Sequence, residues 1–236
     1  MNLVYCKEAK LGANCELDEN EHHHLQVLRA GVGEVLNVFD GIGNLFQCVI
    51  VSSNKKVTTI QINQLLMSEP LPQYGLHIAI APTKNIDRME WFLEKATEIG
   101  IQFITPIICQ RSERRELRKD RLEKVVLSAA KQSLHLHLPT VNEALSLKAF
   151  LKTEQNAKKY IAFCEERTTH LKDLILTQES AVVLIGPEGD FTTEEFVAAK
   201  GYGYIPVSLG ESRLRTETAG LMVAAIYNLV ATKKIF

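Results

Sequence analysis

Two runs near the carboxyl end hold the residues best suited to grip a ligand with main chain. The first is AVVLIGPEGDFTTEEF, residues 181–196, and the second is VSLGESRLRTETAGL, residues 207–221. Each passes from apolar residues through a turn of Gly, Ser, Pro or charge into a helix start. Residues 182–185 are continuous and apolar, the pattern of a parallel strand covered on both faces. Gly186-Pro187-Glu188-Gly189 cannot continue that strand: the glycines permit positive φ, Pro187 removes a donor, and all three let backbone approach a ligand closely. Thr192 with Glu195 matches a capping box, so a helix follows at once. The second unit repeats the plan, with a strand at 205–209, a turn at 210–215 and a helix from about Thr216. Two glycine turns at the carboxyl ends of neighbouring strands are where open α/β sheets hold ligands. A dinucleotide fingerprint is absent, because Gly201-x-Gly203 lacks a third glycine and follows a helix rather than a strand. A phosphate loop is absent too, since GPEG has no Gly-Lys-Ser/Thr after it.

The elements that must position these turns occupy the second two-thirds of the chain. The spacing predicts strands at 76–81, 103–109 and 160–164, a helix at 85–99 stopped by Gly100, a helix at 119–135 and a surface helix at 143–151. Alternation of strand and helix implies a parallel sheet, so the fold class is α/β. The turn after 160–164, Glu165-Glu166-Arg167, leaves the same end of the sheet and is expected to form a third wall. The last helix carries Leu221, Met222, Ala225, Ile226, Leu229 and Val230, an apolar face wide enough either to be fully buried or to pack on a second copy.

Before residue 70 the pattern is β-rich, with strands at 34–39, 45–51 and 57–62 and a hairpin signal at Asp40-Gly41-Ile42-Gly43-Asn44. Short strands with tight turns suggest a small barrel, preceded by a helix that Asp18 and Glu21 would cap. Ser68-Glu69-Pro70-Leu71-Pro72 is the linker, which divides the chain into domains 1–70 and 74–236. His22-His23-His24 does not read as a metal site: consecutive helical side chains point about 100° apart, and no carboxylate or Cys has ligand spacing beside them. A solvated face is expected there, with Arg29 in support.

Two motifs in this chain, Gly186-Pro187-Glu188-Gly189 with Phe191, and Leu209-Gly210-x-x-Arg213-Leu214-Arg215-x-Glu217-Thr218-Ala219, closely resemble the ribosomal RNA small subunit methyltransferase E family. Supporting matches are Asp87-Arg88-Met89-Glu90-Trp91, Lys95-Ala96-Thr97-Glu98-Ile99-Gly100, and His23-His24-Leu25-x-Val27-Leu28-Arg29. The departures are Asp190, where the family often has a second Gly, and Gln132-Ser133-Leu134-His135, where an Arg is usual. The resemblance implies a SPOUT-type α/β domain tied in a trefoil knot, a PUA-like β-barrel that grips RNA, and a homodimer. It implies transfer of a methyl group from S-adenosylmethionine to N3 of one uridine in 16S ribosomal RNA, in the small ribosomal subunit. On that reading Ile185, Gly186, Pro187, Glu188, Gly189, Leu209, Gly210, Leu214, Thr218 and Glu165 hold the cofactor. Arg213 and Arg215 stabilise charge on the base, and Glu217 accepts the N3 proton or orients an arginine. A methyltransferase acting on another RNA position, or a non-catalytic ribosome-assembly factor, is the alternative.

Bulk properties set limits on this reading. Over 236 residues, 46% hydrophobic and 23% charged describe an ordinary globular chain able to bury a core. No run reaches the ~18 apolar residues of a membrane span, and the start MNLVYCKEAKLG lacks a signal-peptide core, so a cytoplasmic location is expected. Five scattered cysteines without a C-x-x-C pair are expected to be reduced and mostly buried. A net charge of −1 means that RNA must be held by local basic patches. The run from Arg111 to Arg121, six basic residues against three acidic, is the main one. Arg111, Arg114, Arg115 and Arg118 are assigned to the RNA backbone, together with His23 and Arg29.

Overall fold

A computed structural model describes residues 3–163 and 168–231. The chain divides into two compact units, Met1–Leu71 with Ala130–Leu138, and Pro72–Ala129 with Pro139–Phe236.

The first unit is a five-stranded sheet in the order β1-β3-β4-β5-β2, formed by β1 (Leu3–Tyr5), β2 (Asn14–Glu16), β3 (Val35–Phe39), β4 (Asn44–Ser53) and β5 (Thr58–Ser68). All pairs are antiparallel except β1 with β3. Alternation decides which face is inside: Leu36 and Val38, Phe46, Cys48 and Ile50, and Ile60 and Ile62 close one core with Val4 and Leu25. The turn between β3 and β4 is held by Asp40, whose Oδ1 accepts from the amides of Ile42 and Asn44. Helix α1 (Glu19–Val27) is capped by Asp18, which accepts from Glu21 N at 2.8 Å. Glu21 is buried and receives Lys131 Nζ on both oxygens at 2.8 Å. His22 is buried as well, with Nδ1 2.9 Å from Thr58 Oγ1, so the solvated face expected for 22–24 begins only at His23. The helix turns inward there because Thr58 offers the ring a partner inside the core.

The second unit is a parallel sheet ordered β12-β10-β11-β6-β7-β8, with β9 also paired to β7. Its strands are β6 (Leu76–Ile80), β7 (Phe103–Ile108), β8 (Thr140–Val141), β9 (Leu145–Ser146), β10 (Lys158–Ala162), β11 (Ala181–Ile185) and β12 (Ile205–Val207). The continuous apolar run of β11 has the meaning the sequence suggests. Val183 and Ile185 join one core, Val182 and Leu184 the other. Helices α2 (Ile86–Ile99), α3 (Lys119–Ser133) and α6 (Thr216–Ala231) contribute to the first core, and α4 (Leu147–Leu151) and α5 (Thr193–Gly201) to the second. Helix α2 starts at Asn85, whose side chain accepts from Asp87 N, and stops at Gly100 in the left-handed conformation, φ 98°. Residues 143–151, expected as one surface helix, are instead β9 followed by the five-residue α4, with Leu147, Phe150 and Leu151 buried. Ser146 makes the break, since its hydroxyl caps Ala149 N at 3.1 Å. Where α6 crosses α2 and β6, a Cβ on Gly220 would stand 2.7 Å from Phe92 Cε2 and 2.9 Å from Ile80 Cδ1. That glycine sets how closely the helix can lie.

Candidate active site

Four strands of the second unit end on one rung, which β7 crosses two residues before its own end. Val207 lies opposite Ala162, Ala162 opposite Ile185, Ile185 opposite Ile80, and Ile80 opposite Pro106. The segments that follow them therefore leave from one edge of the sheet. The two glycine turns are not on neighbouring strands, as the sequence reading had them, because β10 lies between β11 and β12. Sequence proximity misled here: the chain passes from β11 through α5 and skips a position before pairing again. The turns are nonetheless joined, since Thr216 Oγ1 donates to Gly186 O at 3.0 Å. Glu165, assigned to a third wall, lies outside the described residues.

The first turn is braced from several sides. A Cβ on Gly186 would meet the Phe191 ring at 3.1 Å and Asp190 Oδ1 at 3.3 Å, so a side chain here would press on both. Neither Gly186 nor Gly189 uses positive φ. That conformation falls to Asp190, φ 61°, whose Oδ1 accepts from Phe191 N at 2.8 Å. A short polar side chain that bonds locally tolerates this region, which is why the residue the family often replaces with Gly can be Asp. Pro187 is buried. Glu188 Oε1 accepts from Lys84 N at 2.9 Å, and Thr192 with Glu195 completes both halves of the capping box at 3.2 and 3.0 Å.

The basic run supplies the remaining braces. Arg111 Nη1 donates to Gly189 O at 2.7 Å and to Phe191 O at 3.3 Å. Arg114 Nη2 donates to Lys84 O at 2.9 Å and its Nε to Thr83 O at 3.3 Å. Arg115 Nη2 reaches Gln110 O at 3.2 Å, and Arg118 pairs with Asp120 at 2.7 Å. Of the four arginines assigned to RNA, the structure brings Arg111 to the first glycine turn and Arg114 to the segment after β6, while Arg115 and Arg118 are exposed. In the first unit His23 and Arg29 are exposed, Arg29 at φ 57°. Among the described residues no group of three His, Cys, Asp or Glu could hold a metal ion.

The second turn opens onto a cleft. Gly210 has φ 130°, and nothing lies within 4 Å of where its Cβ would be. Ser208 Oγ fixes it, accepting from Gly210 N at 3.1 Å. Leu209 is half-buried, as is Leu214, while Arg213 and Arg215 are exposed. Asp87, Arg88, Trp91, Arg213, Leu214, Arg215, Glu217 and Thr218 line an open cleft of about 610 Å³. Glu217 is 6% exposed, its Oε2 has no hydrogen-bond partner, and Arg88 Nε stands 3.8 Å from its Oε1. The structure thus brings together Arg213, Leu214, Arg215, Glu217 and Thr218. It adds Asp87, Arg88 and Trp91, to which the sequence reading gave no role. The available signal was a stripe at 87, 88 and 91, polar but for one Trp, on one side of a helix whose other side is apolar.

Comparison with known proteins follows the same lines. A family model described as an RNA methyltransferase domain matches residues 69–228, and one described as an RNA methyltransferase PUA domain matches residues 17–62. The ribosomal RNA small subunit methyltransferase E of Buchnera aphidicola subsp. Acyrthosiphon pisum (strain APS) is 28% identical over 211 residues, covering 87% of this chain and 83% of the relative. A probable rRNA-methyltransferase from Porphyromonas gingivalis is 35% identical with a TM-score of 0.86, covering 98% of each chain. The ribosomal RNA small subunit methyltransferase E from Neisseria gonorrhoeae, solved bound to S-adenosyl methionine, is 28% identical with a TM-score of 0.86, covering 97% of each.

Proposed function

This chain belongs to the RNA methyltransferase family, within it to the ribosomal RNA small subunit methyltransferase E group, and we propose that it methylates N3 of one uridine in 16S ribosomal RNA. The observation that carries this reading is the tether from Thr216 to Gly186, which sets a narrow glycine turn beside a carboxylate with an unused oxygen. The donor is S-adenosylmethionine, and the turns fit it. Gly186 keeps the turn narrow against Phe191, Gly210 faces open space, and the half-buried Leu209 and Leu214 offer apolar surface above the buried Ile185. When bound, that group supplies an electrophilic methyl on a sulfonium.

The residues of the chain do the rest. A base within paired RNA must be turned outward to reach the cleft. Glu217 takes the N3 proton, N3 bonds to the methyl carbon, and the carbon–sulfur pair returns to sulfur. Arg213 and Arg215 offer donors to O2 and O4 as negative charge spreads there. Gly186, Pro187, Glu188, Gly189 and Thr218 complete the donor site. Arg115, Arg118, His23 and Arg29 meet phosphates, and the PUA-like unit adds RNA grip. We place the activity on the assembled small subunit, in the cytoplasm, with a homodimer formed through α6, where Leu229 is 81% exposed. We also propose the trefoil knot. Helix α6 follows the edge strand β12 yet returns to pack at β6, a path consistent with threading.

The test is to incubate small subunits from a strain lacking this protein with labelled donor and to map the modified nucleoside. Label at uridine N3 is expected. Tight RNA binding without affinity for the donor would replace this reading with an assembly factor.

A further inference from the structure

Helices α2 and α6 lie side by side in one register, and its first rung falls in the cleft. Asn228 Nδ2 donates to Ile99 O at 2.7 Å toward the carboxyl ends of both helices. A Cβ on Gly220 would stand 2.7 Å from Phe92 Cε2, which marks a close approach further back. Arg88 Nε stands 3.8 Å from Glu217 Oε1 near the amino ends. The three pairs keep the same offset along the chain to within one residue, so the two helices run in the same direction. Arg88 and Phe92 share a face of α2 at i, i+4, and Glu217 and Gly220 share one of α6 at i, i+3. The approach that Gly220 permits therefore also sets the distance between guanidinium and carboxylate.

The other charges of α2 are already matched. Asp87 and Glu90 face Arg121, whose Nη2 is 4.0 Å from Asp87 Oδ1 and whose Nε meets Glu90 Oε1. Lys95 holds Glu94 at 2.7 Å and Glu98 at 2.9 Å. Arg88 is left with one acid, across the helix pair, and makes no other ion pair or side-chain hydrogen bond among the described residues. Of the bases lining the cleft, Arg88, Arg213 and Arg215, it alone comes within ion-pair distance of Glu217. The Glu217 side chain is 8% exposed and that of Arg88 40%, so the carboxylate is enclosed while its cation reaches toward water. A negative charge so enclosed is costly without a cation beside it. The pair is also asymmetric: Arg88 faces Oε1, and Oε2 has no hydrogen-bond partner.

We infer that Arg88 is a positioning residue for methyl transfer: it holds Glu217 by Oε1 and so leaves Oε2 as the atom that receives the proton. This rests on the reading of Glu217 as the base given above. At 3.8 Å the guanidinium attracts the carboxylate by charge without a hydrogen bond, so Oε1 is held while the lone pairs of Oε2 stay unspent. In this role Arg88 needs no contact with base or donor. Glutamine at this position removes the cation, and lysine keeps the cation without the planar fork.

The test is a double-mutant cycle on the full-length protein. It is read as the single-turnover rate with saturating S-adenosylmethionine and small subunits from a strain lacking this protein. Arg88→Gln is expected to lower that rate about tenfold or more, with donor heat and the half-saturating subunit concentration within about twofold. Arg88→Lys returns most of the rate. In a Glu217→Gln background Arg88→Gln changes the rate by less than about twofold, since a residue acting through Glu217 has nothing left to act on. An equal loss in both backgrounds, or no loss in either, would overturn the positioning role and leave the methyltransferase in place. A higher half-saturating concentration at an unchanged rate would make Arg88 an RNA contact instead. Wild-type protein that transfers no methyl, or transfers it elsewhere than N3, removes the reading beneath. If Glu217→Gln is too slow to time, the loss in Arg88→Gln and its return in Arg88→Lys decide, with urea midpoints showing that both variants fold.

Discussion

On the proposed mechanism Glu217 carries more of the chemistry than any other side chain in the cleft. Replacing it with Gln keeps its shape and removes its basicity. Donor affinity should stay within about twofold while single-turnover methyl transfer falls about 100-fold or more. Isothermal calorimetry and a rapid-quench assay check the two halves, and full transfer would exclude Glu217 from the mechanism. Arg111 poses a different question, because a basic run reads as an RNA contact while its Nη1 spends a 2.7 Å bond on Gly189 O. Arg111→Ala is expected to loosen the turn and weaken donor binding about tenfold, the order of one charge-assisted bond. An unchanged donor affinity with a salt slope of RNA binding shallower by about one would return Arg111 to the phosphates. Glycines, prolines and charges at strand ends are legible in a sequence because each restricts backbone locally. The partner of an arginine 78 residues away from it in the chain is not, nor is an oxygen left without a donor.

Elements are legible in the sequence where the pattern is long. Helix α2 keeps its period from Ile86 to Ile99 between an Asn cap and a Gly stop, and both ends lie where those residues put them. Short strands were missed. The pairs β8 and β9 have two residues each, too few for alternation to register. Adjacency was misjudged as well, since β10 separates two strands whose sequence grammar is alike. Packing adds a requirement no periodicity shows. At Gly220 the ring of Phe92 and the Ile80 methyl, both fully buried, leave no room for a methyl group. Gly220→Ala gains about 1 kcal/mol of helix propensity and meets about 1–3 kcal/mol of overpacking, so a net loss of up to about 2 kcal/mol is expected in urea unfolding. A gain in stability would show that α6 can shift outward without cost.

At the scale of the whole molecule, the α/β class follows from alternating strand and helix patterns. The SPOUT-type sheet with its PUA-like partner came from motif resemblance, since no local pattern specifies a sheet order. Stability should also depend on pH through a residue far from the cleft. His77 is half-buried against the rings of Phe103 and Phe150 and bonds to Thr105 Oγ1 at 2.7 Å, and burial lowers its pKa from 6.5 to about 4. The unfolded chain then binds the proton first as pH falls. Stability present above about 6.5 is lost progressively down to about 4, by about 3 kcal/mol in all. Chemical denaturation across that range checks it, and His77→Phe should flatten the curve. The hydroxyl of Thr216 has a further consequence. On the proposed mechanism a shift that loading imposes on Gly186 would reach the helix bearing Glu217 through that hydroxyl's bond, and occupancy by donor and by nucleic acid would then be one linked equilibrium. Reciprocity then applies: the factor by which either partner tightens the other is the same in both directions, and Thr216→Val should bring both factors toward one.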